Sequence, residues 1–119
     1  MLDGKGPIFE QIANRIADDI VTGTYPEDGP IPSINEFSVF FRTAPMTVGK
    51  AITQLVDQGV LYKKRGIGMF VAPGAPAQLR ARRAEALRSE YIAPLIREAA
   101  LIGVDLPTLH HLIDQEASS

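Results

Sequence analysis

Between Ile31 and Val71 the chain reads as a capped two-turn helix, a three-residue connection into a helix with one apolar stripe, and a basic hairpin tipped by two glycines. That order predicts a mainly α fold: a winged helix-turn-helix with a small two- or three-stranded wing sheet, followed by a C-terminal helical pair for dimerisation. The expected organisation is a winged unit over residues 1–72, a linker at 73–76 and a helical region over 77–119.

Met1 to Gly6 carries no motif and is expected to be a frayed tail. From Pro7 to Val21, Ile8, Phe9, Ile12, Ile16 and Ile20, with Ala13, Ala17 and Val21, mark an amphipathic helix stopped by Gly23. Its apolar face is scaffold for the helices that follow. The segment Thr24 to Pro32 holds three prolines and one glycine, which predicts an extended connector with a one-bond strand at Ile31 joining the wing sheet.

Ser33 and Glu36 form an S-x-x-E capping box, which starts a helix over Ile34, Phe37, Val39, Phe40 and Phe41. The connection Arg42-Thr43-Ala44 is short enough to make the next helix cross the first steeply. In that next helix Val48, Ala51, Ile52, Leu55 and Val56 recur at i, i+3, i+4, i+7 and i+8, one stripe of a 3.6-residue period. The opposite face shows Met46, Thr47, Lys50, Thr53, Gln54 and Asp57. Small groups in the first turn let a helix approach base edges and phosphates in a major groove. Pro45 suits the first helical position, so the helix is expected to start near Ala44 and to end at Gly59, a natural C′ residue.

After Gly59, Val60-Leu61-Tyr62 reads as a strand and Lys63-Lys64-Arg65 adds three cations. Gly66-Ile67-Gly68 then turns the chain back into Met69-Phe70-Val71. A two-stranded ribbon with cations near its tip is suited to phosphate or minor-groove contact.

The segments PS-x-x-E-F, APMTVGKAI and QLVDQGVLYKKRGIGMFV together resemble the GntR family of bacterial transcription regulators. The DNA-binding domain of that family typically reads PS-x-R-x-L-A, a turn, TV-x-x-A, then L-x-x-x-G and a hairpin ending G-x-G-T-F-V. The resemblance covers roughly residues 7 to 72 and implies that Ser33, Thr47, Lys50 and the wing from Arg65 to Gly68 face DNA. Two departures stand out. Asn35 replaces the usual Arg after Pro-Ser, and Ala44 and Met46 stand at the Asn or Ser-Arg positions ahead of Thr-Val. The whole set expected at DNA is Ser33, Asn35, Thr43, Ala44, Met46, Thr47 and Lys50, with Lys64, Arg65, Gly66, Ile67 and Gly68 of the wing.

Ala72-Pro73-Gly74-Ala75-Pro76 is a break in composition, and a new helix is expected near Ala77. Its opening arginines, Arg80, Arg82 and Arg83, read either as phosphate contacts or as a solvated first turn. Pro94 removes a backbone donor and clashes with the carbonyl of Glu90, which predicts a kink. Gly103 ends that helix, Asp105 caps the next, and Leu106, Leu109, Leu112 and Ile113 give a last short helix.

About forty residues in two such helices cannot bury their apolar faces on themselves, and a second copy is the economical partner, the competing expectation being a monomer whose tail packs on its own winged domain. The dimer face is expected at Leu87, Tyr91, Leu95, Ile96, Ala99, Ile102, Leu109 and Ile113. The tail YIAPLIREAALIGVDLPTLHHLID resembles the short C-terminal region of the YtrA subfamily of GntR regulators, which implies dimerisation through this pair and, often, control of transporter genes. Larger members add effector-binding or aminotransferase-like domains, for which this chain is too short. A small-molecule effector, if one acts, is expected between the domains or at the dimer interface near Tyr91, Ile96 and Leu101.

A net charge of −2 argues against nucleic acid, but from Arg42 to Gly68 five cations face one acid, Asp57. Zero cysteines exclude disulfides and thiolate metal sites. No stretch reaches the ~18 apolar residues of a membrane span, and MLDGKGPIF lacks the segments of a signal peptide, so a cytoplasmic protein is expected. His110 and His111 are adjacent, about 100° apart on a helix, and cannot share a metal as an i, i+4 pair does. Gly66 and Gly68 lie between strands without G-K-[ST], so they are no nucleotide loop. Asp18, Asp19, Glu27 and Asp28 fall on an outer face or in a loop and make no acid–base pair. No cofactor, no metal and no catalysis are expected. The competing expectation is a winged helix turned protein-interaction module, suggested by Asn35, Ala44 and Met46 and by the acidic pI of about 5.6.

Overall fold

The computed structural model describes residues 6–119. The chain divides into two compact units, one running to Ala81 and the other from Arg82 to Ser119. The tail expected over Met1 to Gly6 lies outside the described residues except for Gly6, whose carbonyl accepts from Gln11 Nε2 at 2.9 Å.

In the first unit, helix α1 (Ile8–Val21) buries Ile12, Ala13, Ile16, Ala17 and Ile20 along one stripe. Gly23 follows it with φ 86°. Helix α2 (Ile34–Phe41) starts on the expected capping box: Glu36 N–H donates to Ser33 Oγ at 3.1 Å, and Ser33 N–H donates to Glu36 Oε1 at 3.0 Å. Only Phe37 and Phe41 of α2 are buried, their rings stacked 5.7 Å apart, while Val39 and Phe40 face solvent. Arg42 then adopts a left-handed backbone with φ 53°, and Ser38 Oγ donates to the Thr43 carbonyl, which together fix the sharp connection.

Helix α3 (Pro45–Asp57) takes Ala44 as N-cap and Pro45 at its first position, and Gly59 follows with φ 76°. Val48, Ala51, Ile52 and Leu55 are buried as the stripe predicts, but Val56 at the stripe's edge is exposed. Strands β1 (Leu61–Lys64) and β2 (Gly68–Val71) pair antiparallel, Leu61 with Val71, Tyr62 with Phe70, Lys63 with Met69 and Lys64 with Gly68. The third strand is a single bridge centred on Pro30, opposite Phe70. Ile31 N–H donates to Met69 and Val71 N–H to Gly29. Tyr62 donates to Asp28 at 3.1 Å, tying the connector to the wing.

Helix α4 (Ala75–Ala86) corrects the expected linker and boundary. It begins at Ala75 rather than near Ala77, and Ala75 and Leu79, one turn apart, belong to the same apolar core as α1, α2, α3 and the wing. The Pro-Gly segment is therefore a tight turn. Gly74 has φ 78°, and Pro76 sits in the first turn of α4, where no N–H is needed. Arg80 is not a free phosphate contact, since its guanidinium donates to the Val21 carbonyl at 2.9 Å at the end of α1.

In the second unit a π-helical segment (Leu87–Ile92) leads into α5 (Ala93–Leu101). The widened turn is how the chain absorbs Pro94: Ala93 N–H donates to Arg88, five residues back, so the donor that Pro94 lacks need not be supplied to Glu90. Gly103 with φ 79° turns the chain, and Asp105 caps α6 (Leu106–Ala117) by accepting from Thr108 N–H at 3.0 Å. Ala99 and Leu109 are buried. Leu87, Tyr91, Ile92, Leu95, Ile96, Leu101, Ile102, Leu106, Leu112 and Ile113 remain exposed in the single chain. No helix of the described residues is long and apolar enough to cross a membrane.

Candidate nucleic-acid interface

The apolar stripe of α3 is consumed by the core, which leaves the face of Met46, Gly49, Lys50, Thr53 and Asp57 turned outward. That face forms the floor of an open groove. One wall is the start of α2, with Ser33, Ile34, Asn35 and Glu36, and the other is the wing, with Lys63, Ile67, Gly68 and Met69. Six of the residues expected at DNA thus meet around one surface: Ser33, Asn35, Met46, Lys50, Ile67 and Gly68.

Thr43, Ala44, Thr47, Lys64, Arg65 and Gly66 do not line it. Thr43 Oγ1 donates to the Phe41 carbonyl at 3.1 Å, so its hydroxyl serves the turn between the helices. Ala44 is the N-cap of α3 and makes no side-chain cap bond, and Thr47 is half-buried. Arg65 and Gly66 lie at the exposed hairpin tip.

Lys64 points to the other side of the hairpin. Successive side chains in a strand alternate faces, so Lys64 shares a face with Tyr62 and Phe70, and its Nζ lies 4.1 Å from the Phe70 ring centroid and 5.8 Å from that of Tyr62. Lys63, which pairs with Met69, lines the groove in its place. Sequence reasoning misses Lys63 because adjacent lysines are equivalent until the register is known. It misses Gly49 too, although a glycine inside a helix, on the face opposite the apolar stripe, is a signal available in the sequence.

The electrostatics are mixed. Lys50 and Lys63 line the groove with Glu36 and Asp57, and the exposed Arg42, Lys64 and Arg65 lie outside the lining. Lys50 Nζ rests 5.0 Å from the Phe9 ring centroid, a contact worth about 0.5–1 kcal/mol at an exposed site, weak enough for the ammonium to swing toward a phosphate. Hydrogen bonds from Ser33 hold the Glu36 carboxyl below its usual value, so it is anionic at neutral pH with no arginine at position 35 beside it. Among the described residues no group of three or more His, Cys, Asp or Glu side chains is placed to hold a metal.

Residues 8–71 match the profile of the family described as "Bacterial regulatory proteins, gntR family". The chain belongs to the GntR family. It is similar to the transcriptional repressor YtrA of Bacillus subtilis, 28% identical over 109 residues that cover 92% of this chain and 83% of YtrA. It is also similar to the repressor NagR of Bacillus subtilis, 38% identical over 66 residues, 56% of this chain but only 27% of NagR. A GntR-family transcriptional regulator from Bacteroides thetaiotaomicron shares the fold at 35% identity with a TM-score of 0.76, covering 94% of this chain and 97% of that one. The DNA-binding domain of AraR, solved in complex with operator ORE1, is 39% identical over 56% of this chain and 82% of its own length, with a TM-score of 0.55. This GntR chain is accordingly YtrA-like, a DNA-binding regulator with a winged helix-turn-helix, in a family of regulators rather than enzymes.

Proposed function

We propose that this GntR protein is a cytoplasmic repressor that binds a palindromic operator as a homodimer. Each protomer sets α3 in a major groove and lays its wing along the adjoining backbone. The observation that carries this reading is the groove itself, in which the outward face of α3 and the wing bring Lys50, Lys63, Ile67 and Gly68 to one surface. AraR, whose similar domain was solved on operator DNA, supports the same use of that surface here. YtrA and NagR are named repressors, which supports the sign of regulation.

Dimerisation is proposed through α5 and α6. Tyr91 is 66% exposed and Leu95 41%, and Leu87, Ile96, Ile102 and Ile113 add to the uncovered apolar surface, while Ala99 and Leu109 are buried and hold the unit together. Apolar surface of that extent on two helices is best removed from water against a second copy. A two-fold dimer of this kind matches a palindromic operator whose half-sites lie ~34–36 Å apart, one helical turn of DNA, or a multiple of it. A metabolite acting near Tyr91, Ile96 and Leu101 would meet three exposed side chains in the single chain, and a second protomer seated there would cover it.

Sedimentation velocity with a labelled duplex tests the assembly. Two protomers per duplex and a dimer without DNA are expected. A monomer that binds DNA as one protomer per site would overturn the dimeric reading.

A further inference from the structure

We propose that Met46 and Gly49 form a reader for the 5-methyl group of thymine, so that each half-site of this protein's operator carries a T·A pair opposite the first turn of α3. The inference rests on the DNA-binding reading above and adds what the helix selects.

Met46 is 82% exposed in the first turn of α3, takes no part in the apolar core, and lines the groove with Lys50 and Lys63. Ala44, Pro45 and Met46 offer no side-chain donor, and Ala44 makes no cap bond. Thr47, the hydroxyl of this turn, is half-buried and does not line the groove, so a base pair facing Met46 is read by shape and apolar contact. Along the major groove the apolar group on a base edge is the thymine methyl, and a thioether on an unbranched stem is soft and adaptable enough to pack against it.

Gly49 supplies the second observation. It lies three residues after Met46 on the same helical face and lines the same groove. Glycine weakens a helix interior relative to alanine, yet nothing among the described residues requires it. Gly49 is not among the glycines with positive φ, and a Cβ added there would meet nothing within 4 Å. The bare backbone is thus open to a ligand approaching the groove. Beside Met46 it leaves a notch into which a base edge can come close.

The test begins with duplexes enriched from a random-sequence pool by the wild-type protein. Each thymine is then replaced singly by deoxyuridine, which keeps every hydrogen-bonding group and lacks only the methyl. At one thymine per half-site, deoxyuridine should weaken wild-type binding about fourfold, the factor carried by burying one methyl group. Met46→Ala should bind the thymine and deoxyuridine forms alike without a change in melting temperature. Gly49→Ala should melt higher, as a better helix former, and still bind the enriched duplex more weakly. Deoxyuridine forms that bind as well as thymine at every position would overturn the inference and leave the DNA-binding reading standing. A thymine preference that survives in Met46→Ala would do the same. If no duplex is enriched over random DNA, the DNA-binding reading itself falls and this inference falls with it.

Discussion

Lys63→Ala and Lys64→Ala should separate, although the two residues are neighbours with the same side chain. Lys63 lines the groove opposite Met69, while Lys64 lies against Phe70 and Tyr62 on the far face of the hairpin. If Lys63 neutralises one phosphate, its removal takes about 0.9 from the slope of log K against log salt per protomer. At 0.15 M salt that corresponds to roughly a fivefold weakening per phosphate, or about 30-fold for a dimer in which both protomers carry the substitution. Lys64→Ala should leave most of the slope intact and instead remove a cation–π contact worth about 0.5–1 kcal/mol in stability. Fluorescence anisotropy from 0.05 to 0.3 M salt, with urea denaturation of both variants, reads the two effects separately. A flattened slope in Lys64→Ala with a wild-type slope in Lys63→Ala would show that the hairpin presents its opposite face to DNA.

Leu79→Ala should destabilise the winged unit by about 2–3 kcal/mol, although residue 79 lies beyond the matched family segment, because Leu79 is 6% exposed within that unit's core. A variant with an unchanged unfolding midpoint would return α4 to the role of a linker. Glu36 has its folded pKa lowered by the hydrogen bonds of Ser33, so its contribution to stability is present above the unfolded carboxylate pKa of about 4.3 and is lost as pH falls through the folded value. Glu36→Gln should therefore be less stable than wild type at pH 7 and converge with it in acid, as read by urea midpoints at several pH values. A constant gap across that range would mean the capping contact does not depend on charge. Leu95→Asp should give monomers by light scattering, and a variant that stayed dimeric would move the interface away from α5.

What can be read from sequence is local. The capping box of Ser33 and Glu36, the stripe from Val48 to Leu55, and the glycines that close α1 and α3 each act within one or two turns of chain. The groove's tertiary features are less visible. Ala75 and Leu79 join the winged core only because the turn at Gly74 aims α4 back at it, and Pro-Gly composition looks the same in such a turn and in a true linker. The choice between Lys63 and Lys64 depends on a one-residue register, set by the pairing of Leu61 with Val71. Pro94 predicts a kink in its helix. The chain answers with a π-helical turn at Leu87–Ile92, one of several ways a helix can skip a missing donor, and nothing in the sequence selects among them.

Anisotropy of the protein with labelled DNA from upstream of its own gene, at two salt concentrations and with random DNA as competitor, tests its reading as a sequence-specific DNA-binding regulator. Binding that resists the competitor, weakens steeply as salt rises, and saturates at two protomers per duplex is expected. Binding to that DNA no tighter than to random sequence, or binding indifferent to salt, would contradict it and point to a winged helix that docks on protein through Met46 and the apolar surface around it.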